Sequence, residues 1–288
     1  MRPLKAMEAH GVSFTVVPVT PCDNDATLDA FRRAIRENTR MFICTQASNV
    51  WGIRVPVERL AALAHVYGAE ICVDAAQSGG VVPIRAAEDN IDYLCCAGHK
   101  GLYGPMGTGL LITGRGEKLK SLIQGGTGTL ALQLEQPRDM PEYLESGTQN
   151  VPGILALGAG IDFVRARGNL RQAEMRHVRR IHAAFSRMPH VKLYTPPPDM
   201  RYFVPVLGFN VRGMASEAVG DYLAKHGIAV RCGFHCAPFA HRKMGTDSDA
   251  CGGAARVSPS AFTDDRQVDG LIRAVSALQK APAVRGQK

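Results

Sequence analysis

The chain has 288 residues, 45% of them hydrophobic and 21% charged, with a formal net charge of +8. This is a globular composition with enough apolar mass for a core, which excludes a disordered or fibrous chain. The positive charge is scattered. Its densest cluster (Arg176, His177, Arg179, Arg180, His182) falls on a helical pattern without interleaved aromatics, so it reads as a solvated helix face and no nucleic-acid partner is expected. The opening MRPLKAMEAHG lacks the apolar centre of a secretory signal, and no apolar run approaches the roughly 20 residues of a membrane helix. Several of the eight cysteines lie in apolar strand-like runs, where a thiol acts as a small hydrophobe. A reduced, cytoplasmic protein without structural disulfides or membrane contact is expected.

In chain order, FTVVPV predicts a strand and TLDAFRRAIREN an amphipathic helix with Leu28, Phe31 and Ile35 on one stripe. MFICT predicts a buried strand. Pro56 suits the first turn of a helix carrying Leu60, Leu63, Ala64 and Tyr67 on one face and ending at Gly68. EICVD and DYLCCA predict strands, and GTGLLIT a strand of either direction. Two long helical stretches follow, GILALGAGIDFVRARGN and LRQAEMRHVRRIHAAFSRM, then a stiff break at Pro196, Pro197 and Pro198. A second α/β pattern closes the chain: strands at VPVLGFNV, IAVRC and AARVS, helices at ASEAVGDYLAKHG and DDRQVDGLIRAVSALQ, and a frayed tail APAVRGQK. The expected organisation is a larger α/β domain over 1–165 with a mostly parallel sheet, and a smaller one over 166–288.

Ligands of open α/β sheets sit beyond the carboxyl ends of the strands. Three apolar runs here end in polar residues: MFIC before Thr45, Gln46, Ala47, Ser48 and Asn49; ICV before Asp74, Ala75, Ala76 and Gln77; YLCCA before Gly98, His99 and Lys100. A carboxylate, an amide, an imidazole and an amine at one sheet edge fit pyridoxal phosphate (PLP). That cofactor needs a lysine to hold it and a carboxylate to keep its ring nitrogen protonated. Asp74 suits the ring nitrogen, Gln77 the ring oxygen and His99 the phosphate. Singly, each has a plain structural reading: a strand-end Asp caps a turn, and a lysine after Gly-His sits on the surface. GPMGTG is not a dinucleotide fingerprint, and GGTGT lacks the lysine of a P-loop.

VDAAQSGG followed by AGHKGLYGPMGTGLL resembles the class V aminotransferases of PLP fold type I, and more closely their cysteine desulfurase branch. ASNVWG, GGTGT, ESGTQN, RCGFHCAP and ARVSPSAFT continue the resemblance in order across residues 2–278. The resemblance implies Lys100 as the cofactor lysine, with Asp74, Gln77 and His99 as its companions. It implies Asn49 and Arg256 as holders of the substrate carboxylate, Cys236 as the cysteine that takes sulfur from L-cysteine as a persulfide, and His235 as an aid to proton transfer. Thr127 would reach the phosphate of a partner subunit's cofactor, so a homodimer with shared sites is implied, together with a thiol or protein that accepts the sulfur. The resemblance also implies a further segment before Met1, carrying a phosphate-cradling turn and a ring-stacking residue, and hence a fold incomplete at its N-terminus. Ala97 departs from the hydroxyl residue of many relatives. Three rival readings are another class V PLP reaction (transamination or selenocysteine lysis), a fragment without catalysis, and a zinc site from Cys232, Cys236, His241 and Cys251.

Overall fold

The computed structural model describes residues 1–130 and 132–278; the tail APAVRGQK lies outside them. A short helix α1 (Arg2–Met7), which the sequence pattern does not announce, opens the chain. Then follow α2 (Asn24–Ala34), β1 (Met41–Thr45), α3 (Val57–Val66), β2 (Glu70–Asp74), β3 (Tyr93–Ala97) and β4 (Gly109–Thr113). The second half contains α4 (Val151–Arg167), α5 (Leu170–Phe185), β5 (Val191–Leu193), β6 (Leu207–Val211), α6 (Ser216–Lys225), α7 (Pro238–Met244), β7 (Ala255–Val257) and α8 (Asp265–Ala277).

Two sheets organise these elements. The first has the order β1-β2-β3-β4, with β1, β2 and β3 parallel and β4 antiparallel to β3. The expected mostly parallel sheet is therefore present. α2 starts where the Asp23 carboxylate accepts from Ala26 N at 2.9 Å, an N-cap that satisfies an otherwise orphaned donor. Its Leu28 and Phe31 join Leu60, Ala61 and Ala64 of α3 over Phe42, Ile71 and Val73 of the sheet. Tyr67 falls at the C-cap of α3 and is half exposed, off the expected apolar face. The second sheet, β5-β6-β7, is antiparallel and is packed by α5, α6 and α8. Its core is aromatic and aliphatic, with Phe185 and Phe209 rings 4.8 Å apart and both fully buried. α8 begins in a reciprocal capping box between Asp264 and Gln267.

Two predicted strands do not form. FTVVPV runs as irregular chain: Pro18 withholds a ladder donor, and its Val17 and Val19 are packed against the cores as single side chains. IAVRC is reduced to one bridge, Arg231 to Arg256, because Ile228 is still tied back to Leu223 O at the end of α6. β5 instead supplies the third strand of that sheet.

The amino ends of β2 and β3 are pinned by Asp92, which is 5% exposed. Its carboxylate meets His65 Nε2 and Ile71 N at 2.8 Å each and Arg115 Nε at 2.5 Å. Burial works to raise its pKa, and the His65, Ile71 and Arg115 donors more than reverse that, so the group is held below the ordinary carboxylate value. Asp92→Asn is expected to cost about 1–3 kcal/mol near neutrality, the range for disrupting a buried charge-assisted hydrogen-bond set. A carboxylate with a depressed folded pKa stabilises above its unfolded pKa and loses that contribution as pH falls through the folded one. The gap between wild type and variant should thus close as pH drops below about 4. Urea unfolding of both proteins from pH 7 to pH 3 checks this; a gap independent of pH would disprove it.

Candidate active site

The carboxyl ends of β1, β2 and β3 lie side by side, with Thr45 in register with Asp74 and Asp74 with Cys95. Each strand leads into a loop that carries one of the sequence-predicted groups. Asp74 accepts from Ala76 N at 2.9 Å, which starts the turn bearing Gln77. That turn packs backbone to backbone on the lysine loop. A Cβ on Gly80 would lie 2.0 Å from Gly101 O, and one on Gly101 would lie 2.5 Å from Gly79 O, so only glycine lets the two loops approach. On the far side, Gly98 N donates to Thr108 O at 3.0 Å and Gly104 N to Gly98 O at 2.8 Å, closing His99 and Lys100 into a short loop.

Lys100 senses both halves of the molecule. Its amine pKa is pushed down first by burial. The Asp74 carboxylate and Cys236 act against that, while Arg256 and Arg231 add to it. Asp74 comes from the first sheet, and the other three come from the second half of the chain. The Lys100 loop is also latched to that half. Tyr103, held at φ 55°, donates its hydroxyl to Glu174 Oε1 at 3.1 Å and accepts from Ala261 N at 2.9 Å. Burial pushes the Glu174 carboxyl up to about 7, against the Tyr103 hydrogen bond.

The loop after β1 crosses to the second core. Val55 N donates to Gln46 O and Ser48 N to Ile53 O, so residues 46–55 fold back on themselves and thrust Asn49 and Trp51 outward. Trp51 is 3% exposed within the second core, 4.8 Å from the Tyr194 ring, and its Nε1 donates to Ala240 O at 3.2 Å. Asn49 Nδ2 donates to His235 O at 2.6 Å, and Arg256 Nη1 donates to Asn49 O at 2.8 Å. Arg256 Nε is buried without a hydrogen-bond partner among the described residues. Cys236 follows with its side chain exposed, and both His235 (φ 50°) and Cys236 (φ 57°) are left-handed. For a non-glycine residue that conformation costs roughly 1–2 kcal/mol.

The structure therefore gathers Asn49, Asp74, Gln77, His99, Lys100, Cys236 and Arg256 around the first sheet's carboxyl edge. Thr127 stands apart: among the described residues its hydroxyl meets only Thr129, in a stretch where Leu122, Leu132 and Leu134 are almost fully exposed. His235 has its imidazole turned into the protein, one nitrogen on Arg231 O and the other facing His241, which leaves it no free nitrogen for the proton transfer expected of it. The proposed zinc ligands are not assembled. Among the described residues no three His, Cys, Asp or Glu side chains are grouped to hold a metal, and His241 Nδ1 is occupied by Thr246 at 2.7 Å. Arg231 was not anticipated as a site residue. Its signal is its place at the head of RCGFHCAP, opposite Arg256.

The fold is α/β with two sheets, and its candidate site lies at the carboxyl edge of the first, where the Lys100 amine is acted on by Asp74 from that sheet and by Cys236, Arg256 and Arg231 from the second half of the chain. The chain belongs to the aminotransferase class-V family, whose profile matches residues 2–271. It is 31% identical over 284 residues to a cysteine desulfurase of Pectobacterium atrosepticum and 30% identical over 278 residues to one of Synechococcus elongatus. The alignments cover 95% and 93% of this chain but 66% and 42% of those proteins, so the chain spans less than two thirds of their length. Among solved structures, the apo cysteine desulfurase of Thermococcus onnurineus superposes with a TM-score of 0.86 at 27% identity, over 97% of this chain and 70% of its own. The Escherichia coli cysteine desulfurase CsdA has the same fold, with a TM-score of 0.84 at 24% identity, over 96% and 68% of the two chains.

Because burial and two arginines depress the Lys100 amine, it should be acylated with a midpoint pH below the roughly 10.4 of an ordinary lysine. Arg256→Leu removes one of those cations and should raise the midpoint. Peptide mass spectrometry after brief acylation across pH 7–11 measures both. A wild-type midpoint at or above the ordinary value would contradict the described surroundings.

Proposed function

We propose that this chain carries the chemistry of a PLP-dependent cysteine desulfurase, which converts L-cysteine to L-alanine and takes the sulfur onto Cys236. The observation that carries this reading is the meeting of Lys100 and Asp74 with Cys236 and Arg256 across the two halves. The residues fit the cofactor: the surroundings lower the proton affinity of the lysine amine, the Asp74 carboxylate acts on that amine electrostatically, and Arg256 Nε is a buried donor without an acceptor among the described residues. Lys100 would hold PLP, Asp74 its ring nitrogen, Gln77 its ring oxygen and His99 its phosphate. When bound, PLP supplies an electron sink for the α-carbon of the substrate.

The remaining work falls to side chains. Arg256 and Asn49 bind the substrate carboxylate, a task suited to the planar guanidinium fork. Lys100 moves protons between substrate carbons, helped by the depressed affinity of its amine for a proton. The Cys236 thiolate attacks the substrate sulfur. The new S–S bond forms as the Cβ–S bond breaks, the carbon gains a proton and leaves as alanine, and a persulfide remains on Cys236. A thiol or an acceptor protein then removes that sulfur.

Cys236 is held between the Arg231–Arg256 bridge and the first turn of α7, which supports a short loop that an acceptor must approach. The exposed Leu122, Ile123, Leu134 and Leu155 support a homodimer in which Thr127 serves the partner subunit's site. Eight free thiols, and the absence among the described residues of a helix long and apolar enough to cross a membrane, support a reducing, cytoplasmic setting. The proposed division into units over 1–165 and 166–288 lies within the last turn of α4, just before the Gly168 break that leads into α5.

Incubation with PLP should give a visible absorbance band that borohydride bleaches and Lys100→Ala abolishes. Cys236→Ala should keep the band and lose sulfide and alanine release from cysteine by about a hundredfold or more, the scale of losing a nucleophile. Transamination that survives Cys236→Ala unchanged, with no desulfuration in wild type, would instead assign the chain to the aminotransferase side of its family. A band of equal strength in Lys100→Ala would overturn the cofactor assignment.

A further inference from the structure

The left-handed pair His235–Cys236 persists only because its surroundings hold it from several sides. Upstream, Gly233 is fixed by Ala254 N on its carbonyl at 3.1 Å and by its own N–H on Ser216 Oγ at 3.2 Å. The neighbouring strand comes so close there that a Cβ on Gly253, itself at φ 86°, would lie 2.1 Å from Gly233 O. Downstream, Ala237 N closes the turn on Phe234 O at 2.8 Å and α7 begins at once. From the first half, Asn49 grips the His235 carbonyl. These contacts fix the backbone on either side and one carbonyl within the pair. The remaining restraint is the His235 side chain.

That imidazole is buried, and its hydrogen bonds fix its tautomer. Nε2 lies 3.2 Å from Arg231 O, and a carbonyl only accepts, so Nε2 carries the proton. Nδ1 of the neutral ring is then an acceptor, and it faces His241 Nε2 at 3.5 Å with the two rings nearly parallel. His241 is fully buried, and its other nitrogen, Nδ1, lies 2.7 Å from the buried Thr246 hydroxyl. One proton arrangement serves the whole row: Thr246 directs its proton to His241 Nδ1 at 2.7 Å, nearer than the His241 carbonyl at 3.3 Å, His241 Nε2 donates toward His235 Nδ1, and His235 Nε2 donates to Arg231 O. Trp51 and Phe234 close over His241, both edge-on at 5.6 Å. The charged groups around the row are Arg231, Arg256 and Asp247, with the Phe234 carbonyl also facing His241. Burial first, and then the arginines and the neighbouring ring, lower the His235 pKa to about 4. Burial also lowers that of His241, against Phe234 and Asp247. Both rings therefore stay neutral at physiological pH, as the row requires.

We propose that His241, braced by Thr246, is a positioning residue that locks the His235 side chain and so fixes the direction in which Cys236 presents its thiol. The role of that thiol rests on the desulfurase reading; the lock rests on the geometry alone. His235 serves as a peg, and the protons of the row stay in place.

The test compares His241→Phe and His241→Gln, and the milder Thr246→Val and Thr246→Ser, each as the full chain. Amide hydrogen exchange over residues 233–237 is read against β6, and the rate of persulfide formation on Cys236 against the KM for cysteine. His241→Phe and Thr246→Val should speed exchange over 233–237 by about tenfold or more while β6 is unchanged, as for a local opening. They should slow persulfide formation while KM moves less than about twofold, since the substrate contacts remain. His241→Gln keeps a donor toward His235 and Thr246→Ser keeps the hydroxyl, so both should recover most of the protection and rate. Unchanged exchange over 233–237 in both Thr246→Val and His241→Phe would overturn the lock, as would failure of both conservative variants to recover it. If wild type forms no persulfide, the desulfurase reading fails, and the exchange comparison still decides the lock.

Discussion

Asn49 gives one side-chain N–H to His235 O at 2.6 Å, and its backbone carbonyl accepts from Arg256 Nη1 at 2.8 Å, a double use that joins the two sides of the site. Asn49 belongs to the loop after β1, and both partners belong to the second half of the chain. It ties the Cys236 turn and the Arg256 guanidinium to the first half, beside the contacts of Trp51 with Ala240 O and His241. The interaction forms because residues 46–55 fold back on themselves and push Asn49 and Trp51 across the gap. The same amide keeps a second N–H, the atom that a substrate carboxylate would take. On the proposed reading, carboxylate binding and the seating of the thiol share one side chain.

Charge around Lys100 is balanced in a comparable way. Partial desolvation makes the Lys100 amine costlier to protonate, and Arg256 and Arg231 add to that cost. Asp74 and Cys236 hold the balance from opposite sides. An amine between two cations and two groups able to carry negative charge responds to small local changes, which suits the cofactor-holding and proton-moving role proposed for Lys100. The Tyr103–Glu174–Ala261 latch keeps the lysine loop at a fixed distance from the second unit, so this balance is a property of the docked halves together.

Much of this was legible in the sequence, for local reasons. TLDAFRRAIREN and DDRQVDGLIRAVSALQ announce helices because their apolar spacing is a property of a few adjacent residues, while their Asp23 and Asp264 caps emerge only in the structure. The places of Asp74, Lys100 and Asn49 at the sheet edge were legible because strand ends in parallel sheets are marked by the change from apolar to polar residues. The failures are all long-range. FTVVPV has the composition of a strand but Pro18 and no ladder partner, and IAVRC has the composition of one whose start is spent ending α6. His235 looked like a proton carrier because it adjoins Cys236. Its direction is set by Arg231 O and by His241, and spacing does not encode which way a ring turns. Arg231 was passed over because its relation to Lys100 exists only once β7 lies beside it.

Trp51 is the only tryptophan in the chain, and it lies in the core of the unit opposite to the one that supplies it. Its indole N–H is bonded to Ala240 O, and its ring rests against Tyr194 and His241. Intrinsic fluorescence of this protein is thus a single-site reporter of how the two halves are seated. Parting them would carry the indole from a buried to a wet environment and shift its emission to longer wavelength while either half kept its own secondary structure. Circular dichroism and fluorescence need not then trace one transition, and any lag between them measures how far docking and folding are separate events.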